Sequence, residues 1–212
     1  HQIDTGAHPL LDIQNLECTR GDRILIRDLS FRLKAGELLH IAGRNGSGKT
    51  TLMRTICGLT LPNGGEVRWD DMPIRRLGED YRRELAYVGH THGFHGELTT
   101  VENLRIHACL SSGQASVIET VLERLGLAPQ AGLPAKLLSQ GQKRRLSLAR
   151  LLVTDRRLWI LDEPFTALDV SSVRLVNDLI LAQLARGGMV ILTSHQELGL
   201  DYDRRTVLDL DR

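Results

Sequence analysis

Apolar and polar positions along the chain repeat at two different periods, and the change from one to the other divides it. Leu10 to Leu16, Arg23 to Ile26 and Leu29 to Leu33 are short segments with alternating or β-branched apolar positions. Polar or glycine-containing turns such as Arg20-Gly21-Asp22 separate them, which predicts an antiparallel strand group at the front. The apolar run Leu38-Leu39-His40-Ile41-Ala42 predicts a buried strand, and Thr51 to Cys57 a helix. Pro62-Asn63-Gly64-Gly65 is a turn signal before another strand, Glu66 to Trp69. Ala86-Tyr87-Val88 reads as a buried strand entering a Gly/His-rich loop, Gly89 to His95. From Thr99 the period becomes helical. Thr99 or Thr100 can cap a helix with Val101, Leu104 and Ala108 on one face, and Val117, Val121, Leu122 and Leu125 repeat the spacing. Strands and a helix then alternate again: strand Leu158 to Leu161, helix Ser171 to Leu184, strand Met189 to Leu192 and strand Thr206 to Leu210.

This order predicts one α/β domain over residues 1–212, built on a mostly parallel, helix-covered sheet with an antiparallel β group and an inserted helical subdomain. Residues 1–91 and 153–212 form the expected core, and 92–152 the helical lobe. Sites on such sheets lie at the strand C-termini.

With 42% hydrophobic residues in 212, the chain can bury a sizeable core. A net charge of +1 argues against a nucleic-acid-binding surface. No apolar run approaches the ~18 residues of a membrane span, and no secretory signal pattern is present, so a soluble chain is expected. Cys18, Cys57 and Cys109 are odd in number and lack C-x-x-C spacing, which leaves a disulfide framework, a zinc site and haem attachment unsupported. Buried, reduced thiols in a cytosolic protein are the expectation. Residues 1–9 carry no functional weight.

One stretch organises the rest. Gly43-Arg44-Asn45-Gly46-Ser47-Gly48-Lys49-Thr50-Thr51 fits the phosphate-binding pattern G-x-x-x-x-G-K-[ST], between a predicted strand and a predicted helix. Its glycines let successive N–H groups face phosphate oxygens, Lys49 adds charge for the β- and γ-phosphates, and the Thr50 hydroxyl is placed to ligate Mg²⁺. Asp162 and Glu163 end the strand Leu158 to Leu161 at the same sheet edge. Asp162 can hold the Mg²⁺ shell, and Glu163 can polarise the attacking water. Ser139 and Gln142 stand at capping-box spacing where Leu138-Ser139-Gln140-Gly141-Gln142 opens the helix Lys143 to Leu152. That stretch is either a plain helix cap or an anion-binding terminus offering the Ser139 hydroxyl and the Gly141 N–H.

The same stretch resembles the L-S-G-G-Q signature of ATP-binding-cassette (ABC) proteins, with Gln140 in place of the first glycine. The resemblance extends over almost the whole chain. Leu161-Asp162-Glu163-Pro164 is similar to that family's second ATP motif, Ala167-Leu168-Asp169 to its D-loop, and Thr193-Ser194-His195 to its switch histidine. It implies a P-loop NTPase (RecA-like) fold, ATP and Mg²⁺ as ligands, Glu163 as catalytic base and His195 on the γ-phosphate. It further implies that Ser139, Gly141 and Gln142 serve the nucleotide of a second copy, giving an ATP-dependent homodimer. Two positions depart from the family pattern. His90 stands where a Gln near Mg²⁺ is usual, and Arg20 where an aromatic usually stacks on adenine. A His can still hydrogen-bond water near the metal, and a guanidinium can stack on a base. His90, His92 and His95 can alternatively form a metal or haem site, but a polar, partner-facing loop is the preferred reading.

The Gly89-His90 pair, the run Glu97 to Leu104 and the run Leu158 to Asp169 resemble one branch, the ATP-binding subunits of bacterial cytochrome c maturation (haem exporter) systems. That branch implies integral membrane subunits as partners and a peripheral position on the cytoplasmic face of the inner membrane. Docking is expected in a groove between core and lobe, lined by His92 to His107 and Leu133 to Lys136. The alternatives are a subunit of another small-solute exporter, or a soluble non-transport cassette protein. The second would want two cassettes and a basic surface. A GTPase would want an N-K-x-D motif, and none is present.

Overall fold

The computed structural model describes residues 10–91, 93–111, 113–194 and 199–211. The front of the chain forms two long strands, β1 (Leu10–Arg20) and β2 (Arg23–Lys34), rather than three short ones. They make one hairpin whose last pair is Arg20 and Arg23, with Gly21 at φ +59° in the turn. The apparent breaks are irregularities inside the strands. Asn15 and Asp28 both have φ of +48°, and the Asn15 amide donates to the Asp28 carboxylate at 2.6 Å. Register shifts near these residues interrupt the period-2 pattern without ending the pairing.

β3 (Leu38–Ala42) leads through the phosphate loop into α1 (Lys49–Ile56). Next come β4 (Gly64–Trp69), β5 (Met72–Pro73), α2 (Ile74–Leu77), α3 (Glu79–Glu84) and β6 (Leu85–Val88). β4 begins at Gly64, so half of the expected Pro62–Gly65 turn is strand. A Cβ on Gly65 would lie 2.2 Å from the Gln14 carbonyl oxygen, and its φ is +70°. Only glycine lets β4 come this close to the bulged part of β1.

All regular structure between β6 and β7 (Leu158–Leu161) is helical among the described residues: α4 (Thr100–Leu110), α5 (Ile118–Arg124), α6 (Gln140–Leu152) and short 3-10 turns. Thr99 is the cap of α4, and its box with Glu102 is complete in both directions. α5 starts after a 3-10 turn, Ala115–Val117, so Val117 lies outside the helix proper. α6 starts three residues before the expected Lys143, because Ser139 caps it. α7 (Val170–Ala185), β8 (Met189–Thr193) and β9 (Arg205–Asp209) complete the order.

The strands form an antiparallel sheet, β2-β1-β4-β5, and a parallel five-stranded sheet, β6-β7-β8-β3-β9. Period 2 divides the core across the parallel sheet. Leu158, Ile160, Met189 and Ile191 pack with β1, α1, Trp69 and Tyr81. Trp159, Leu161, Val190 and Leu192 pack instead with Leu104, Leu122, Leu146 and Ile180 from the helices. The phosphate loop and Asp162 follow strands of this one sheet, which brings them to one edge. Among the described residues, no helix is long and apolar enough to cross a membrane.

Cys18 and Cys57 are buried free thiols, and burial pushes Cys57 up to about 12. Cys109 departs from the expectation, being exposed on the outer side of α4.

Candidate functional site

The turn between β3 and α1 needs three glycines in conformations that L side chains avoid: Gly43, Gly46 and Gly48 have φ of +140°, +82° and +106°. A Cβ on Gly43 would lie 2.6 Å from the Ser47 hydroxyl oxygen. That oxygen is buried and has no hydrogen-bond partner, a polar atom awaiting one inside the loop. The buried Lys49 ammonium folds over the loop and donates to the carbonyls of Gly43 at 2.5 Å and Arg44 at 3.0 Å. The site is thus a concave anion cradle at a helix N-terminus.

A cavity of about 480 Å³ opens from the cradle. It brings together Arg20, Asn45, Gly46, Gly48, Lys49, Thr50, Thr51, His90, Asp162 and Glu163, all named from the sequence. Gly43, Arg44 and Ser47 do not line it. The Arg44 N–H donates to Asp211 at 2.7 Å and its guanidinium pairs with the same carboxylate, so the N–H and side chain face away from the cradle while its carbonyl accepts from Lys49. Arg23 and Leu25 line the cavity but escape the sequence reading. The hairpin register with Arg20 is the signal that places them there.

Asp162 is buried and shared between two hydroxyl groups. Thr50 Oγ1 donates to its Oδ2 at 3.1 Å, and Thr193 Oγ1 to its Oδ1 at 2.9 Å. The Thr50 hydroxyl and a carboxylate oxygen side by side are hard oxygen donors of the kind that suit Mg²⁺. Glu163 follows in a left-handed conformation, φ +51°, which costs a non-glycine residue roughly 1–3 kcal/mol. Its N–H donates to Thr193 Oγ1 at 3.0 Å, so one hydroxyl fixes both acidic residues. Arg144 of α6, also missed in the sequence, reaches the same strand end and, among the described residues, donates to main-chain carbonyls. A smaller cavity of about 160 Å³, lined by His90, Gln140, Arg144, Glu163, Thr166 and Ala167, runs from there to the start of α6.

Ser139, Gly141, Gln142 and Asp169 lie outside both cavities. The Ser139 hydroxyl accepts from the Gln142 N–H at 3.2 Å, while Gln142 Oε1 accepts from the Ser139 N–H at 2.8 Å, a reciprocal cap on an exposed helix start. Asp169 caps α7 from one side, its carboxylate accepting from the Ser172 N–H at 2.8 Å. His195 and His92 lie outside the described residues. Among the described residues, which exclude His92, there is no group of three or more His, Cys, Asp or Glu side chains placed to hold a metal ion.

Two of the segments expected to line the docking groove are paired with each other. Segments 96–101 and 131–136 bond to each other through main-chain pairs, such as Lys136 N–H to Gly96 O and Thr100 N–H to Leu133 O, both within 3.0 Å. A groove of about 280 Å³ between core and helices is lined by His107, from the expected lining, together with Leu59, Tyr87, Arg82, Arg150 and Arg156. Burial first, then Arg150 and Arg156, pull His107 down to about 4.

Residues 26–166 match the family model described as ABC transporter. The chain is 50% identical over 200 residues to the cytochrome c biogenesis ATP-binding export protein CcmA of Nitrosomonas europaea, covering 92% of this chain and 94% of that protein. The protein of the same name from Pseudomonas aeruginosa is 47% identical, with 90% and 95% covered. Among solved structures, an ABC transporter ATP-binding protein from Pyrococcus furiosus superimposes with a TM-score of 0.82 at 26% identity, over 95% of this chain and 98% of that one. The ATP-binding subunit of an ABC transporter gives 0.81 at 27% identity, covering 88% and 79%. The chain therefore belongs to the ABC transporter family, in the group that the CcmA relatives define.

Proposed function

We propose that this chain is the ATP-hydrolysing subunit of a cytochrome c biogenesis export complex, acting as a pair of copies closed over ATP at the cytoplasmic face of the inner membrane. The observation that carries the reading is Asp162, held between the Thr50 and Thr193 hydroxyls beside the Lys49 cradle. The names of the CcmA relatives support the export role. Haem or a haem-loaded carrier is the proposed cargo, and integral membrane subunits are the partners.

Lys49 exchanges its loop carbonyls for the β- and γ-phosphates of ATP, and the inward N–H groups of the loop hold the remaining oxygens. Thr50 and Asp162 would hold Mg²⁺, which when bound offsets phosphate charge. Glu163 takes the proton of the attacking water, with His90 hydrogen-bonding water in the same cavity and His195 meeting the γ-phosphate. Arg20 and Arg23 offer guanidinium faces to the base. Residues 1–91 and 153–212 serve as the ATP core, and 92–152 as a helical lobe carrying Ser139, Gly141 and Gln142 to the nucleotide of the second copy, with Asp169 at the same interface. The groove walled by Arg82, Arg150 and Arg156 receives the membrane subunit, whose motion follows closure and reopening of the pair.

Glu163→Gln should bind ATP, form the closed pair on a sizing column, and turn over at least about 100-fold more slowly. Lys49→Ala should lose binding altogether. Near-normal turnover by the Glu163→Gln protein removes the base assignment, and a monomer with and without ATP removes the sandwich. Normal cytochrome c assembly in cells lacking the protein leaves the other reading, a different small-solute exporter.

A further inference from the structure

We infer that Arg144 is a positioning residue that joins the helix of the signature stretch to the catalytic acid; this rests on the reading of Glu163 as general base. Arg144 lies in the second turn of α6 and is only 4% exposed. Its guanidinium donates to four carbonyl oxygens: Nη2 to Asp162 at 2.6 Å and to Glu163 at 2.7 Å, Nη1 to Gly89 at 3.1 Å, and Nε to Pro164 at 3.2 Å. A structural arginine would ordinarily meet a carboxylate. Here all four acceptors are main-chain atoms, and they belong to two loops of the site.

The geometry has three consequences. First, three successive carbonyls, from Asp162 to Pro164, converge on one planar group. A chain in extended or right-handed conformation does not aim three consecutive carbonyls at one point, and the positive φ of Glu163 is the bend that allows it. Arg144 therefore holds the conformation that sets the Glu163 side chain. Second, the Gly89 carbonyl precedes His90, so the loop after the neighbouring strand β6, which also lines the cavity, hangs on the same guanidinium. Third, the group sits on α6, whose first turn carries Gly141 and whose cap is Ser139. A shift of α6 carries Glu163 and His90 with it as one unit. Burial lowers the guanidinium from its ordinary value, and the nearby Asp162 and Glu163 charges act in the opposite direction, holding it charged.

Lysine keeps the charge but has neither the planar fork nor the reach to meet carbonyls in two loops. The test compares Arg144→Lys, Glu163→Gln and the double variant for maximal ATP turnover, ATP affinity by equilibrium binding, and melting temperature. Arg144→Lys should lower kcat by roughly 10- to 100-fold. It should change ATP affinity by less than about twofold, because the phosphate cradle does not touch the guanidinium. In the Glu163→Gln background, Arg144→Lys should lower kcat no further, since the base it positions is gone. Normal kcat in the single variant overturns the inference. So does a double variant in which the two losses multiply, or an affinity that falls in step with kcat. If Arg144→Lys does not fold, Arg144→Gln, which keeps two N–H donors, is put through the same comparison. Near-normal turnover of Glu163→Gln alone overturns the base assignment instead, and so separates the two failures.

Discussion

Replacing Thr193 by valine removes one oxygen atom and tests how the acidic pair is held. Thr193 is fully buried on β8, and its hydroxyl donates to Asp162 Oδ1 at 2.9 Å while accepting the Glu163 N–H at 3.0 Å. Valine fills nearly the same volume, so packing hardly changes. It deprives a buried carboxylate of a donor and a backbone N–H of this acceptor, each worth roughly 1–3 kcal/mol when left unsatisfied. Together they should cost about 3 kcal/mol, a large part of the roughly 5–15 kcal/mol that holds a domain of this size. At a domain of this length that is a fall of about 6–12 °C in melting temperature. Thr193→Ser keeps the oxygen and loses one methyl group, for about 1 kcal/mol. Urea titrations and thermal melts of the three proteins, with phosphate release under saturating ATP, make the comparison. Turnover should fall at least about tenfold in the valine protein and stay within about threefold in the serine protein. A valine protein as stable and as active as the serine protein refutes the reasoning.

Acid should also loosen the fold through His107. Its folded value lies below its unfolded one, so the unfolded chain binds more protons between about pH 4 and 6.5, and stability is complete above that window and falls as pH drops through it. Arg150 Nε approaches His107 Nδ1 at 3.4 Å, which favours a neutral ring. The ring is partly exposed, so screening reduces the effect to about 1–2 kcal/mol; His107→Gln should flatten the melting-temperature profile from pH 7 to 5. Gly65→Ala should cost more than about 3 kcal/mol by urea titration, because the new Cβ meets two main-chain oxygens at 2.2 and 2.3 Å, whereas Gly132→Ala, with open space around it, should stay within about 0.5 kcal/mol.

What could be read from the chain alone was whatever is encoded locally. The phosphate loop, the Asp162-Glu163 pair and the Ser139 cap each occupy a few consecutive residues, and their chemistry needs no knowledge of distant neighbours. The parallel strands were legible because burial on both faces makes them continuously apolar, as in Leu158 to Leu161. Arg144 was missed, and Thr193, named only in the stretch that leads to His195, was given no role, because their partners are main-chain atoms and carboxylates far along the chain. A faint signal existed for Arg144, which shares a helical face with Ser147, Leu148 and Leu151, all buried. A charged residue at such a position implies internal acceptors. The second front strand was split in two because the irregularity at Asp28 looks like a turn residue in one dimension. Main-chain pairing between 96–101 and 131–136 could not be read from the sequence, because it leaves no side-chain pattern.

The position of β3 bears on the order in which the molecule assembles during synthesis. Its two neighbours in the sheet are β8 and β9, so Leu38 to Ala42 waits for strands made on the order of 150 residues later before either edge is paired. Until Met189 to Asp209 have left the ribosome, the nascent chain carries the whole phosphate loop but nothing on either side of the strand that supports it. Such a chain exposes an apolar strand with two unsatisfied edges, the kind of surface that chaperones retain and that aggregates when released early. Nucleotide capture is therefore the closing step of folding for this chain, and a ribosome stalled before Met189 should hold a polypeptide that contains the complete G-x-x-x-x-G-K-T motif and does not bind ATP.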